Sequence, residues 1–308
     1  MLLLATLAWG YSFPGMKGLL LALNGALPGR SEWFFSGLLI SARFALAGVL
    51  LLAVRPRALA EMRAGEWRQG IGLGVFAGVG MLFQCDGLQY TSASSVAFLT
   101  QFSAVLVPIY CAWRDRRWPS ARTLVCVAMV MVGVGVLGRF DWQAMRLGRG
   151  EFETMIGTAF FTAQILWLDH PRFRGNDSGR MSIAMFFVIA LVLAPVWMAH
   201  AHSPWDVAVL WARPEIGAMF VSVTLVCSIV AFLLMNHWQP RVDVSSAGII
   251  YCAEPVFATL LALFLPVPLG HWLGVAYANE VFTPHLLLGG GLITIANALI
   301  AFEPRRDV

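Results

Sequence analysis

Two stretches of the chain, one in each half, share a pattern of small, apolar and polar residues. They are SVAFLTQFSAV at 95–105 and SAGIIYCAEPV at 246–256, and they align without a gap at a spacing of 151 residues. Each follows a short polar run and lies inside a long apolar segment. Two related halves of a membrane protein can rock about a site between them. The repeat therefore predicts two related bundles of membrane helices around a shared site.

The composition is that of a polytopic membrane protein. Of the 308 residues, 59% are hydrophobic and 12% are charged, whereas a soluble globular protein carries about twice that charged fraction. The net charge of +4 is small and the basic residues lie between apolar blocks, so nucleic-acid binding is not indicated. The first apolar block begins at Met1 without a basic leader or a cleavage site, and we expect it to be a retained helix.

No sequence motif for a cofactor, a metal ion or catalysis is present. The five cysteines lie in or at the ends of apolar segments without CxxC spacing, and the six histidines lie near span ends or in loops. The chain has no Walker A glycine loop, no HExxH and no GxSxG. We therefore expect no cofactor, no metal site and no catalytic residue.

Ten apolar blocks are long enough to cross a bilayer, which takes about 20 residues. The predicted spans are 1–23, 34–54, 70–88, 93–112, 121–138, 151–169, 181–199, 216–236, 246–265 and 285–302. Because each half holds an odd number of spans, a tandem duplication inverts the second half relative to the first. The predicted fold is all-α, with ten transmembrane helices in an inverted 5+5 repeat. The repeats are 1–138 and 151–303, with an outer-side insertion at 266–284.

The arginines orient the chain, since cytoplasmic loops of membrane proteins are rich in basic residues. With both termini in the cytoplasm, 14 arginines lie in inner loops or the tail and five lie in outer loops. The 139–149 loop is the exception, because it carries three of the outer arginines. We expect a multi-pass protein of the bacterial inner membrane with both termini in the cytoplasm.

Several motifs resemble the drug/metabolite transporter superfamily, specifically its EamA type. WGYSF at 9–13 resembles the signature of that family's first helix, and LQYTSAS at 88–94 the start of its fourth. EPV at 254–256 resembles the Glu-Pro pair of the ninth helix, and Glu280 followed by GGGLI at 289–293 the start of the last. The resemblance covers nearly the whole chain as two EamA repeats.

This resemblance implies transport of an amino acid, metabolite, nucleotide sugar or drug, without naming the cargo. The chain departs from the family pattern in the 266–284 insertion, in its missing cytoplasmic leader, and at Ser103-Ala104, where the first repeat of many relatives carries a proline.

Glu254 is the strongest candidate for a site residue. A carboxylate near mid-bilayer is costly unless it is paired, solvated or protonated. Pro255 beside it cannot donate the usual helix hydrogen bond, so a carbonyl one turn back is freed at the same level. The pair makes a polar notch that could hold an amine, a hydroxyl or a proton. The alternative is a structural ion pair or a hydrogen bond to another helix.

Arg43, midway along the second span, is expected to form a structural ion pair with a buried acid or, less favoured, to read an anionic cargo. Uncharged polar and aromatic residues at helical depth are common contacts between membrane helices, yet as a set they suit a small amphipathic cargo. The family resemblance implies that helices 1, 3, 4, 6, 8 and 9 line a central cavity. The predicted substrate-binding residues are Glu254, Ser103, Tyr251, Gln101, Trp9, Ser12, Gln84, Gln164, Trp167 and Asn236.

The expected function is secondary transport by alternating access, with export of a small metabolite, amino acid or drug-like solute. The expected partners are the transported solute and membrane lipids, with a proton as a further partner if transport is coupled to it. The oligomeric state is not predicted. The alternative is a membrane protein that does not transport, such as a lipid-handling enzyme or a receptor-like scaffold.

The predicted topology can be tested with reporter fusions. Fusions after Arg68 and after Arg117 should report the cytoplasm, because both follow arginine-rich loops, and a fusion near Ala278 should report the outside. A periplasmic signal at Arg117 would contradict the assignment.

Overall fold

The structure is a computed structural model that describes residues 1–90, 96, 99–137 and 148–301. Residues 91–94 of the LQYTSAS motif, the loop arginines Arg139 and Arg146, and the tail from residue 302 onward lie outside the described residues. All regular secondary structure in the described part is helical.

The helices are α1 Leu2–Ala26, α2 Glu32–Val54, α3 Ala58–Glu61, α4 Ala64–Tyr90, α5 Ser103–Asp115, α6 Ala121–Leu137, α7 Arg149–Leu168, α8 Ser178–His200, α9 Pro214–Val223, α10 Ala231–Trp238, α11 Val244–Tyr251, α12 Glu254–Ala262, α13 Pro266–Leu273 and α14 Pro284–Ala301. A π-helical segment, Thr224–Val230, joins α9 to α10. Short 3-10 helices cover Pro171–Phe173, Pro204–Trp211 and Gln239–Arg241.

The protein is a multi-pass membrane protein. Within the described residues, five helical segments are long and apolar enough to cross a bilayer: Glu32–Val54, Ala64–Gly87, Ser178–His200, Pro214–Arg241 and Val244–Ala262. Two shorter apolar helices, Ala121–Val136 and Pro284–Leu299, accompany them. Helices α1 and α7 have 25 and 20 residues, which is the length of a span, but both carry polar residues. The total of ten spans remains a prediction.

The span predicted over 246–265 corresponds to the apolar segment Val244–Ala262, in which a turn at 252–253 separates α11 from α12. The chain turns at Cys252 and Ala253, whose N–H groups bond to Ile249 O and Ile250 O three residues back. Pro255 follows and has no N–H to donate to Tyr251 O, so the regular hydrogen-bond ladder cannot run through this level. The insertion predicted at 266–284 likewise begins as a helix, α13.

Glycines let the helices approach closely. A Cβ on Gly74 of α4 would lie 2.5 Å from Val188 Cβ of α8. A Cβ on Gly10 of α1 would lie 2.8 Å from Phe257 Cβ of α12. Helices in lipid gain most of their association from such packing, because lipid tails are as apolar as the side chains. Glycine is therefore required at both crossings.

An ion pair joins the halves on the predicted outer side. Arg30, just before α2, donates from Nε to Asp206 Oδ2 at 3.0 Å and from Nη2 to Oδ1 at 3.1 Å. Asp206 also accepts the backbone N–H groups of His202 and Ser203. The side chain of Asp206 is 7% exposed, so the contact excludes most water.

A second ion pair joins the halves on the predicted cytoplasmic side. Arg180, in the first turn of α8, donates from Nε to Glu66 Oε2 at 2.8 Å and from Nη2 to Oε1 at 2.7 Å. Glu66 is fully buried and accepts the backbone N–H groups of Arg63 and Asp177. On each face, a two-pronged arginine–carboxylate pair thus connects the two halves, a geometry that is directional as well as strong.

The outer pair predicts a pH dependence of stability. The hydrogen bonds from Arg30, with those from two backbone N–H groups, lower the pKa of Asp206 to about 2, against about 3.9 in an unfolded chain. A lowered folded-state pKa contributes stability that is complete above about pH 4 and is lost as the pH falls toward 2. Asp206→Asn should therefore lower the melting temperature at pH 7, and the difference from the unsubstituted protein should shrink below pH 4.

The control is Asp115→Asn. Asp115 pairs with its neighbour Arg114, but both side chains are over 40% exposed, and exposed pairs contribute about 0–1 kcal/mol. Equal melting curves for Asp206→Asn and Asp115→Asn at neutral pH would refute a stabilising role for the outer pair.

Candidate functional site

The helices break at matching places in the two halves. In the second half, the turn at Cys252–Ala253 precedes α12, which begins at Glu254. In the first half, the chain turns at 101–102 and α5 begins at Ser103. Ser103 and Glu254 are the two residues that the sequence repeat aligns. Both breaks therefore lie at the same level of the repeat.

The breaks create helix ends inside the bundle. The first turn of a helix carries N–H groups without intrahelical partners and a partial positive charge. Glu254 is the first residue of α12. Discontinuous helices of this kind form ion and substrate sites in membrane carriers. The arrangement can hold a small polar or charged group.

Glu254 and Arg43 are two charged side chains without charged partners. Among the described residues, neither forms a salt bridge or a side-chain hydrogen bond. Glu254 is partly exposed, while Arg43 is 9% exposed and its Nε is buried without a partner. The guanidinium carbon of Arg43 lies 5.1 Å from the centroid of the Phe44 ring.

Aromatic rings form a layer beside these charges. The Trp9 ring centroid lies 5.3 Å from that of Phe232 and 5.6 Å from that of Tyr251. Phe44 continues the layer, 5.5 Å from Phe232 and 5.6 Å from Phe186. Edge-to-face contacts of this kind are favourable beyond their buried area. We call these five rings the aromatic layer; it joins α1, α2, α8, α10 and α11.

Tyr251 is held in the layer by a buried hydrogen-bond chain. Its hydroxyl donates to Gln239 Oε1 at 2.8 Å, and Gln239 Nε2 donates to Ile165 O at 2.8 Å. Gln239 is fully buried, although it lies beyond the predicted span 216–236. The sequence reasoning missed this residue, because a glutamine before Pro240 has the pattern of a loop.

Several predicted site residues form hydrogen bonds within the protein. Asn236 donates to Ser182 Oγ at 2.8 Å, and Gln84 donates to Thr100 Oγ1 at 3.1 Å. Trp167 Nε1 donates to Gln69 O at 3.2 Å. These contacts join helices, which is the packing role that was the alternative for each of them.

Other predicted site residues keep unused hydrogen-bonding capacity. Gln164 is buried with Nε2 unpaired, and Asn236 is buried with Oδ1 unpaired. Gln101 and Ser103 are each 8% exposed, and Ser12 is partly exposed. Among the described residues, the side chains of these last three make no hydrogen bond. Gln101 and Ser103 lie at the break in the first half, and Ser12 lies on α1.

Tyr11, next to Ser12, was not predicted as a site residue. Its hydroxyl lies 3.2 Å from Ser222 Oγ of α9. Within the part of the chain that the structure describes, no group of three or more His, Cys, Asp or Glu residues could hold a metal ion.

Comparisons with known proteins agree on a membrane transporter. Two proteins of Archaeoglobus fulgidus, each described as an uncharacterized transporter, are similar to this chain. One is 24% identical over 302 residues, or 98% of this chain and 85% of that protein. The other is 24% identical over 266 residues, or 84% of each.

A solved crystal structure has the same fold. It superposes with a TM-score of 0.65 at 16% identity, covering 94% of this chain and 96% of that one. The pattern of the EamA-like transporter family matches residues 1–139. This match over residues 1–139 agrees with the resemblance drawn from the sequence motifs.

Proposed function

We propose that this protein is a secondary transporter that exports a small amphipathic solute across the bacterial inner membrane by alternating access. The two halves, 1–138 and 151–303, form an inverted 5+5 repeat, and both termini are cytoplasmic. The observation that carries the proposal is the pair of helix breaks, since both occur at the residues that the repeat aligns.

The packing of the described helices supports the inverted repeat. Equivalent helices pack on each other: α2 on α8, and α6 on α14. A further pair of contacts is related by the repeat. Helix α4 packs on α7, and their equivalents, α9–α10 and α1, also pack on each other. A two-fold relation between the halves accounts for this pattern.

The ion pairs on the two faces support it as well. Arg30, just before α2, pairs with Asp206, which lies shortly before α9. Arg180, at the start of α8, pairs with Glu66, at the start of α4. Helices α2 and α8 are equivalent in the proposed repeat, as are α4 and α9. The two contacts are therefore counterparts on opposite faces.

In the proposed mechanism the cargo lies beside Glu254 and Ser103. Glu254 holds a cationic group or a proton, and the free groups of Gln101 and Ser12 supply hydrogen bonds. Trp9 and Tyr251 offer aromatic faces to an apolar portion of the cargo. No residue of α12 is fully buried, so this side of the site is the more open one. The aromatic layer closes the other side.

Glu254→Gln tests this role, because it keeps the shape of the side chain while removing the charge. A thermal-shift screen of the purified protein against metabolites identifies a cargo, whose flux is then measured in proteoliposomes. Transport by the variant should fall at least about tenfold, the effect of losing roughly 1.4 kcal/mol of binding or coupling energy. The pH dependence of transport should also disappear, while the melting temperature changes little.

The control for this experiment is Glu32→Gln, which removes an exposed carboxylate from the first turn of α2. Full transport by Glu254→Gln with an unchanged pH profile would remove Glu254 from the mechanism. A solute flux that depends on the protein also separates a transporter from the alternative, a lipid-handling enzyme or receptor-like scaffold.

Arg43→Met tests the role of the second charge. Arg43 lies over the Phe44 ring, with its guanidinium carbon 5.1 Å from the ring centroid, but it has no ion pair among the described residues to offset the cost of desolvation. Its replacement by methionine should therefore leave stability unchanged or raise it by about 1–4 kcal/mol. Binding of an anionic cargo should weaken in the same variant. A loss of stability of roughly 3 kcal/mol or more would instead mean that Arg43 has a structural partner. If that partner is Glu254 in another conformation, Glu254→Gln should also destabilise the protein, and adding Arg43→Met should recover part of the loss.

A further inference from the structure

A groove with a volume of about 560 Å³ lies between α5 and α6, far from Glu254 along the chain. It is at the end of these helices that the arginine distribution predicts to face the cytoplasm. Ile109 and Leu124 form part of its walls and are 58% and 50% exposed. In a membrane protein such side chains face lipid. The groove is therefore open to the bilayer along its apolar part.

The rim of the groove has a different chemistry from its walls. Trp113, Arg116, Arg117 and Trp118 line it, and the two tryptophans are 77% and 89% exposed. Tryptophan concentrates at the level of the lipid headgroups. The rim thus consists of aromatic and basic side chains, whereas the walls of the groove are apolar.

The two arginines of the rim form no salt bridge among the described residues. Their neighbour Asp115 is already bound by Arg114, with Nε and Nη2 donating at 2.6 and 3.0 Å. The turn from 113 to 120 therefore presents two uncompensated positive charges. Guanidinium groups bind phosphate through charge-assisted hydrogen bonds.

We propose that this groove binds an anionic phospholipid of the cytoplasmic leaflet. The phosphate lies against Arg116 and Arg117, and one acyl chain lies along the wall formed by Ile109 and Leu124. Basic pockets between membrane helices on the cytoplasmic side bind anionic headgroups in this way. A free phosphate would use the rim alone and would leave the apolar walls unexplained, whereas a phospholipid matches both.

The second half of the chain gives an internal comparison. The corresponding connection, between α12 and α14 at 263–283, contains no lysine or arginine. It is predicted to face the outside. The basic rim is therefore particular to one face, which is where anionic lipid concentrates.

Native mass spectrometry can test the proposal. The full-length protein is exchanged into detergent with equal amounts of phosphatidylglycerol and phosphatidylcholine, and the retained lipids are counted. The unsubstituted protein should retain phosphatidylglycerol preferentially. In R116Q/R117Q its affinity should fall by about fivefold for each arginine removed, or roughly 30-fold in all. The control R57Q/R68Q removes two other exposed arginines of the same face and should retain the lipid.

A second variant separates the phospholipid from a free anion. The variant I109W/L124W fills the apolar part of the groove without changing its charge, and it should also retain less phosphatidylglycerol. Glycerol phosphate, which has the headgroup but no acyl chain, should not displace the lipid. Equal retention by R116Q/R117Q and R57Q/R68Q would overturn the proposal. So would displacement by glycerol phosphate, or a groove that is covered by a second copy of the chain in a dimer that forms without lipid.

Discussion

The backbone hydrogen bond is the interaction on which the rest of this structure depends. In the hydrocarbon core no water satisfies an N–H or C=O group, so a chain can leave the helix only where protein surrounds it. The breaks before Ser103 and Glu254 meet this requirement with N–H groups that bond three residues back. The irregular backbone at these two levels is thereby confined to short turns, at 101–102 and 252–253.

Contacts between the helices follow from the same environment. In lipid, two apolar helices gain no free energy from the hydrophobic effect when they come together. Close packing and polar contacts must therefore supply the attraction. Gly74 and Gly10 provide the close packing, and Asn236, Gln239 and Trp167 provide hydrogen bonds between helices that are distant in the chain. Near the ends of the helices, where water is available, this role passes to Arg30–Asp206 and Arg180–Glu66.

Local patterns in the sequence were sufficient to predict most of the helices. Apolar runs and polar boundaries depend on neighbouring residues, and most predicted spans agree with the described helices to within a few residues. The exceptions are α4, which begins at Ala64 and not at the predicted 70, and the span 93–112, which turns at 101–102 before α5 begins. Tertiary partners were not predictable in this way. The sequence showed Tyr251 and Trp167 as polar aromatic residues at depth, but nothing local indicates that one bonds to Gln239 and the other to Gln69 O. Pro255 indicated a backbone carbonyl without its usual hydrogen bond. No proline lies at the break in the first half, so that break could not be predicted in the same way.

The π-helical segment Thr224–Val230 sets the direction of every side chain that follows it on that span. A π-helical turn accommodates about one residue more than the 3.6 of an α-helical turn, so the α-helix beyond it resumes with its faces turned by about 100°. Phe232 and Asn236 lie beyond this point. A sequence shorter by one residue between 224 and 230 could form an unbroken α-helix of equal hydrophobicity, and it would turn Phe232 away from Trp9 and Asn236 away from Ser182. Along this span, the number of residues matters as much as their identity.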